Sequence, residues 1–200
     1  MKNKIWISIA LCAALSTVAF ARGGNQNTQA APAQISSSTA ISNLTEEQKE
    51  DLLYMYQEEK VARDAYITLG NLWGERVFLN IQKAEQKHMD AIRSLLEKYT
   101  LPVPVVDDTI GVFDNEELQA LYDELIEIGS VSSQEALNVG VMIEETDIAD
   151  LEEKIVGAPA DIAAVYSNLL QGSYSHLNAF TRALDGSGGA SGGQQGRRGR

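Results

Sequence analysis

The sequence predicts an all-α fold: a bundle of four long helices with one long crossover that carries a short extra helix. Three observations lead there. Apolar residues recur three and four apart through most of residues 44–184, the spacing of one helix face. Gly and Pro interrupt that pattern near 70–74, 102–104, 129 and 157–159. The first and last breaks are short, whereas more than thirty residues separate the second long helix from the third. Short breaks make antiparallel hairpins, and the long connection can cross the full length of a bundle.

Each element has its own signal. Thr45 with Gln48 forms a capping box that opens the first helix. Leu52, Leu53, Tyr56, Lys60 and Arg63 fall on its successive turns, and it is expected to end near Leu69, before Gly70-Asn71 and Gly74. The second helix runs from about Glu75 to Tyr99 with Phe78, Ile81, Ala84, Met89, Ile92, Leu95 and Leu96 as its stripe. Pro102 and Pro104 stop it. Asp114 with Glu117 reads as a capping-box variant for a short helix that reaches Ile128 and stops at Gly129. Ser132 or Ser133 caps the third long helix, which carries Leu137, Val141, Ile148 and Leu151 and ends near Val156. After Gly157 and Pro159 a fourth runs from about Ala160 to Leu184. No stretch alternates as a strand; Val103 to Val106 comes nearest, and its prolines spoil it.

The flanks differ in composition. Lys2 and Lys4, an apolar run from Ile5 to Phe20 and the small-x-small Ala19-Phe20-Ala21 have the layout of a signal peptide over residues 1–21. The run is shorter than the ~20 residues a bilayer-spanning helix needs. The expectation is an exported protein, periplasmic or extracellular, with no membrane insertion after cleavage. Residues 22–43 read as a flexible linker and 185–200 as a disordered Gly-rich tail ending in arginines, which leaves 44–184 as the helical domain. The single cysteine, Cys12, lies in the apolar run. The cleaved protein therefore has no disulfide, thiolate nucleophile or iron–sulfur cluster. Without Lys2 and Lys4 the 16 basic residues become 14 against 28 acidic ones, a net charge of −14 in place of −12. Such a surface repels nucleic acid. Nothing in the sequence fixes an oligomeric state.

The chemistry rests on the only two histidines, His88 and His176. Glu85 and His88 stand three apart on a helix and so share a face. Glu59 and Glu85 lie equally far from the first hairpin turn, and Glu144 and His176 lie at similar depth in the second hairpin. Acid and histidine thus meet at one level of the bundle. Buried carboxylates cost several kcal/mol each unless neutralised, and residues 44–184 contain only 10 basic residues. A pair of metal ions is the natural counter-charge. On the competing reading Glu59, Glu85 and Glu144 lie on solvated faces. The apolar neighbours Ala84, Ala91, Val141 and Ile148 argue for the interior.

Five strings carry a resemblance: EEKVARDAY (58–66), AEQKHMDAI (84–92), LYDELIEIGS (121–130), VGVMIEETDIADL (139–151) and LLQGSYSHLNAF (169–180). Together they resemble the ferritin-like superfamily, specifically the family called domain of unknown function 2202, and cover almost all of the domain. The segment Glu59-Lys-Val-Ala-Arg63 also resembles the first-helix metal segment of rubrerythrin, which singles out Glu59 over Glu58. By the same comparison Glu85 and His88 match the second-helix pair and Glu144 the third-helix carboxylate. The fourth helix departs, because Ser173 stands three before His176 where a glutamate is usual. Asp147, three after Glu144, is the candidate replacement, with Glu145 as the fallback if that helix is rotated.

The resemblance implies a ferritin-like four-helix bundle with a metal site of Glu59, Glu85, His88, Glu144, Asp147 and His176, holding two iron ions, with manganese or zinc as alternatives. The resemblance implies no settled activity; the di-iron reading leaves oxidase, ferroxidase and peroxidase chemistry open, the last served by an external electron donor. The alternative is a non-catalytic envelope bundle whose metal is structural, stored or absent, and Ser173 is the feature that favours it. Tyr66 and Tyr174 are each placed either to hydrogen-bond a ligand or simply to pack, Trp73 reads as a packing residue at the hairpin, and Met55, Met89 and Met142 read as core.

Overall fold

The computed structural model describes residues 44–104 and 108–190, with side chains through 186. The expected signal segment, the linker and residues 191–200 of the expected tail lie outside the described residues. Among the described residues there are five helices and no strand. None of the helices is long and apolar enough to cross a membrane.

Helix α1 (Glu46–Trp73) opens on the capping box: Thr45 accepts from the Gln48 backbone, and the Gln48 side chain accepts in return. It continues past Leu69 because Gly70 acts as a packing site and not as a break. A Cβ there would lie 3.0 Å from Phe78 Cβ, so the missing side chain lets the second helix close in. Gly74, at φ 72°, supplies the left-handed cap. Helix α2 (Arg76–Lys98) follows at once. Helix α3 (Glu116–Gly129) starts one residue later than the Asp114 reading, since Asn115 accepts from the backbone of both Glu117 and Leu118. Ser132, rather than Ser133, caps α4 (Ser133–Ile155) by accepting from Glu135. Helix α5 (Ala160–Ala190) runs six residues beyond the expected end at Leu184. Extending a formed helix adds one hydrogen bond per residue, so weak formers such as Gly186 can be carried along.

Contacts join α1 to α2, α2 to α5, α5 to α4 and α4 to α1, while α3 lies against α1 and α4. At one end of the bundle Lys98 and Tyr99 bond Asp161, and the Gln48 side chain donates to the Gly157 carbonyl. At the other end Ser133 donates to Glu75 at 2.7 Å. The connection from α2 to α4 therefore leaves one end and arrives at the other.

The core is split into two parts. One apolar cluster takes Val61 to Leu69, Phe78 and Ile81, Ala136 to Val139, and Phe180. The other takes Leu52 to Tyr56, Met89 to Leu96, Leu151, and Ile162 to Leu169. In each long helix the boundary falls on polar residues: 58–60, 85–88, 144–147 and 173–176.

Part of that layer is a clamp on the crossover. Lys60 and Asp64 are fully buried and paired at 2.6 Å. Lys60 also donates to the carbonyls of Thr109 and Val112, each at 3.1 Å, and stands 4.3 Å from the Phe113 ring centroid. Asp64 accepts from the Gly111 backbone and from Arg63. Arg63 reaches Gln86 and Asp108 as well. Removing one partner of such a buried pair costs about 3–5 kcal/mol. Asp64→Asn should lower unfolding free energy by about that much in urea, and a loss under about 1 kcal/mol would show that the clamp does not hold the crossover.

Candidate metal centre

The four long helices turn carboxylates and imidazoles toward one another where the two apolar clusters part. Glu59, Glu85 and Glu144 are each 2 % exposed, and Asp147 is 7 % exposed. His88 Nδ1 lies 3.2 Å from Glu59 Oε2 and 2.9 Å from Glu85 Oε2. His176 Nδ1 lies 2.9 Å from Glu85 Oε1 and 3.5 Å from Glu144 Oε2. Glu85 thus spans both imidazoles, one oxygen to each. The result is two groups of three possible ligands, Glu59–Glu85–His88 and Glu85–Glu144–His176, each with its ligand atoms within 4.8 Å of one another. The imidazole rings stack with centroids 5.5 Å apart.

Several of these atoms lack what buried polar atoms ordinarily have. Glu59 Oε1, Glu85 Oε1 and His176 Nδ1 are buried without a hydrogen-bond partner. Glu85 Oε1 and His176 Nδ1 come to 2.9 Å, yet the angles are not those of a hydrogen bond. Two buried electron-pair donors this close need a shared proton or a cation between them.

The surroundings hold the ligands in place. Tyr66, fully buried, donates to Glu144 Oε1 at 2.6 Å. Its ring packs with Phe78 and Phe180 at centroid distances of 5.7 and 5.1 Å. Gly140 makes room for Phe180, whose ring a Cβ would meet at 2.5 Å. Gly172 does the same for His88: a Cβ on it would lie 2.6 Å from the imidazole Nε2. Ser173, fully buried, hydrogen-bonds Asp147 Oδ2 and leaves Asp147 Oδ1 without a partner.

Burial raises every carboxyl here, and the imidazoles decide which one stays ionised. Glu85 is pushed up by burial, but the imidazoles of His176 and His88, each 2.9 Å away, outweigh this and hold it at about 2. Burial would lower His88, yet the closeness of the Glu59 and Glu85 carboxylates raises it to about 11, and that of Glu144 and Glu85 raises His176 to about 10. Burial lifts Glu144 to about 7 and Asp147 to about 6. Glu59 is also raised, by burial first and then by the Asp147 charge.

Of the six residues expected from the sequence, Glu59, Glu85, His88, Glu144 and His176 form the two groups. Asp147 stands beside them and outside both, tied to Ser173. Glu145 is exposed. Tyr174 is 43 % exposed and donates to Glu152, away from the cluster. Met55 and Met89 are buried in the core, and Trp73 donates to the Gly129 carbonyl at 2.8 Å. Sequence reading passed over Gly172, whose only signal is a glycine inside a helix four residues before His176. Glu58, which the resemblance set aside in favour of Glu59, is buried as well.

The family described as "Uncharacterized protein domain (DUF2202)" matches residues 48–195. The chain is 50 % identical over 143 residues to "Uncharacterized protein MJ0754" of Methanocaldococcus jannaschii, an alignment that covers 71 % of this chain and 77 % of that protein. The crystal structure of that archaeon's hypothetical protein MJ0754 superposes with a TM-score of 0.71 at 46 % identity, over 80 % of this chain and 87 % of the other. A family match over most of the chain and a relative this similar lead to one conclusion: the chain belongs to the DUF2202 family.

Proposed function

We propose that the two groups hold a pair of metal ions, iron or manganese, with Glu85 shared between them, and that the protein is an exported redox metalloprotein. The observation that carries this reading is the double approach of Glu85 to two imidazoles, with Glu85 Oε1 and His176 Nδ1 buried and unpartnered at 2.9 Å. Three carboxylates and two imidazoles suit iron and manganese better than soft-ligand metals. The ring of four long helices and the end-to-end crossover support a ferritin-like bundle. Export rests on the Lys2–Ala21 layout alone.

A bound pair of such ions supplies one-electron redox chemistry toward oxygen, peroxide or ferrous iron. The chain's own part is to hold and to exclude. Glu59 and His88 face one position, and Glu144 and His176 face the other. Tyr66 fixes Glu144 by its hydrogen bond. The apolar clusters above and below keep the layer dry. With no cysteine after residue 21, electrons come from an external donor. A non-catalytic storage or structural role is the second reading, favoured by Ser173 in place of a fourth glutamate. Reducible iron, with an absorption band that bleaches on reduction, supports the first; a redox-silent metal supports the second.

Because Glu85 serves both positions, Glu85→Gln should abolish both equivalents in metal analysis of the purified protein, while Glu59→Gln should remove one. Equal losses from the two variants would rule out a shared ligand.

Metal must displace the imidazole protons, which are held up to about 11 and 10. Loading near pH 7 should therefore release protons, and apparent affinity should rise with pH. Calorimetry in buffers of different ionisation heat measures the release. No buffer dependence would contradict the assignment of the histidines.

Gly172→Ala should push the His88 ring aside and weaken metal binding about tenfold or more, in line with losses seen when the support of a metal ligand is disturbed. Its circular dichroism should stay native. Unchanged affinity would show that His88 is not a ligand.

A further inference from the structure

The candidate centre is not equally deep on all sides. The side chains of Glu59, Glu85 and Glu144 are between 1 and 3 % exposed, whereas those of His88 and His176 are 12 % and 11 % exposed. Each imidazole turns Nδ1 inward to the carboxylates. The other edges of the two rings come to one place. A Cβ on Gly172 would lie 2.6 Å from Nε2 and 2.8 Å from Cε1 of His88, and 3.9 Å from Cε1 of His176. Gly172 is itself only half-buried. With no side chain there, these ring edges are the part of the centre that reaches closest to solvent.

The helices around Gly172 differ from the rest of the surface. Helix α3 packs on α1 and α4, so among the described elements it covers that side of the ring and leaves the opposite pair, α2 and α5, uncovered. Both histidines belong to that uncovered pair. Charge divides the same way. Residues 99–153, which include α3 and most of α4, contain no Lys or Arg, and α3 exposes Glu116, Glu117, Asp123, Glu124 and Glu127. In α5, residues 162–181 contain no Asp, Glu, Lys or Arg, in a chain of net charge −12. The exposed Ser167, Ser175, Asn178 and Thr181 of α5 each donate to the carbonyl four residues earlier. Donors already used within their own helix lose little when a partner covers them.

We propose that the outer face of α5 around Gly172 is where a one-electron donor protein docks, with electrons entering the centre through the outer edges of His88 and His176. This inference rests on the metal reading of that centre. In each transfer the donor loses one electron and one metal ion of the pair falls from the +3 to the +2 state; no bond to the protein forms or breaks. Electron tunnelling weakens steeply with distance, so a donor gains most where ligand side chains already approach the surface. The delocalised imidazole ring joins Nδ1, at the metal, to the edge at Gly172. Redox encounters are brief and small, commonly under about 1,200 Å2. An uncharged face whose polar groups are already bonded suits a partner that must leave again.

The test uses the full-length protein in two forms. In the metal-free form, a neutral gadolinium chelate should broaden the imidazole proton signals of both histidines in NMR spectra and spare the ring signals of the fully buried Tyr66. In the iron-loaded, oxidised form, reduction by the methyl viologen radical cation is followed by stopped flow at low salt. Gln171→Lys and Ser175→Lys, at exposed positions beside Gly172, should each slow reduction about threefold, the Coulomb factor for unit charges about 6 Å apart in water. Gln171→Glu should speed it by as much. Ala120→Lys, on the exposed face of α3, should keep the native rate. Equal rates in all four variants, with iron bound and reduced, would overturn the α5 entry while the centre stands. Imidazole signals that escape broadening would overturn it too, whatever metal is bound. A protein that takes up no reducible iron would remove this proposal together with the metal reading.

Discussion

The structure depends on the cost of placing carboxylates inside a helical bundle. Each ionised carboxylate taken from water costs several kcal/mol unless a counter-charge meets it. Glu59, Glu85, Glu144 and Asp147 all lie within the layer that divides the apolar core in two. Aliphatic and aromatic residues on both sides supply the folding energy that a polar layer cannot. That is why the four helices are long: each must carry apolar turns above the layer and below it. The glycines at 140 and 172 belong to the same constraint, since they let Phe180 and His88 sit where any side chain would displace them.

Helix α1 carries two answers to that cost within two turns. Lys60, Arg63 and Asp64 close on one another and on the crossover, and each charge finds a partner. Nothing further is needed there, and the role is architectural. Glu58 and Glu59 stand immediately before that group, yet each keeps a buried oxygen with no partner. The contrast between a saturated cluster and an unsaturated one, on the same helix, separates what holds the fold from what we propose binds metal. The imidazoles take up only part of the negative charge, and protons fill the rest of the role when no metal does.

Much of this was legible in the sequence, for identifiable reasons. Helical period and cap residues are local, so the helices could be placed closely, and the capping box at Thr45 and the cap at Ser132 appear as expected. Scarcity made the histidines informative: with only two, the depth of His88 and His176 pointed to one layer. Errors arose where tertiary contact overrides local preference. Gly70 looked like a helix break and is a contact with Phe78. Asp114 looked like a cap, but Asn115 makes the hydrogen bonds. Asp64 could not be found from spacing, because its partners Gly111, Lys60 and Arg63 come together only once the crossover folds back. The Ser173 bond to Asp147 Oδ2 is likewise beyond the reach of any spacing rule on a single helix; Asp147 Oδ1 stays without a partner beside the two groups.

The central claim is that Glu85 joins two metal positions across the bundle. Anomalous X-ray scattering from crystals grown with manganese, recorded on either side of its absorption edge, tests it most directly. The account predicts two peaks inside the layer, one bounded by Glu59, Glu85 and His88 and the other by Glu85, Glu144 and His176. A single peak, or peaks confined to the protein surface with Glu85 bonded only to the two imidazoles, would contradict it.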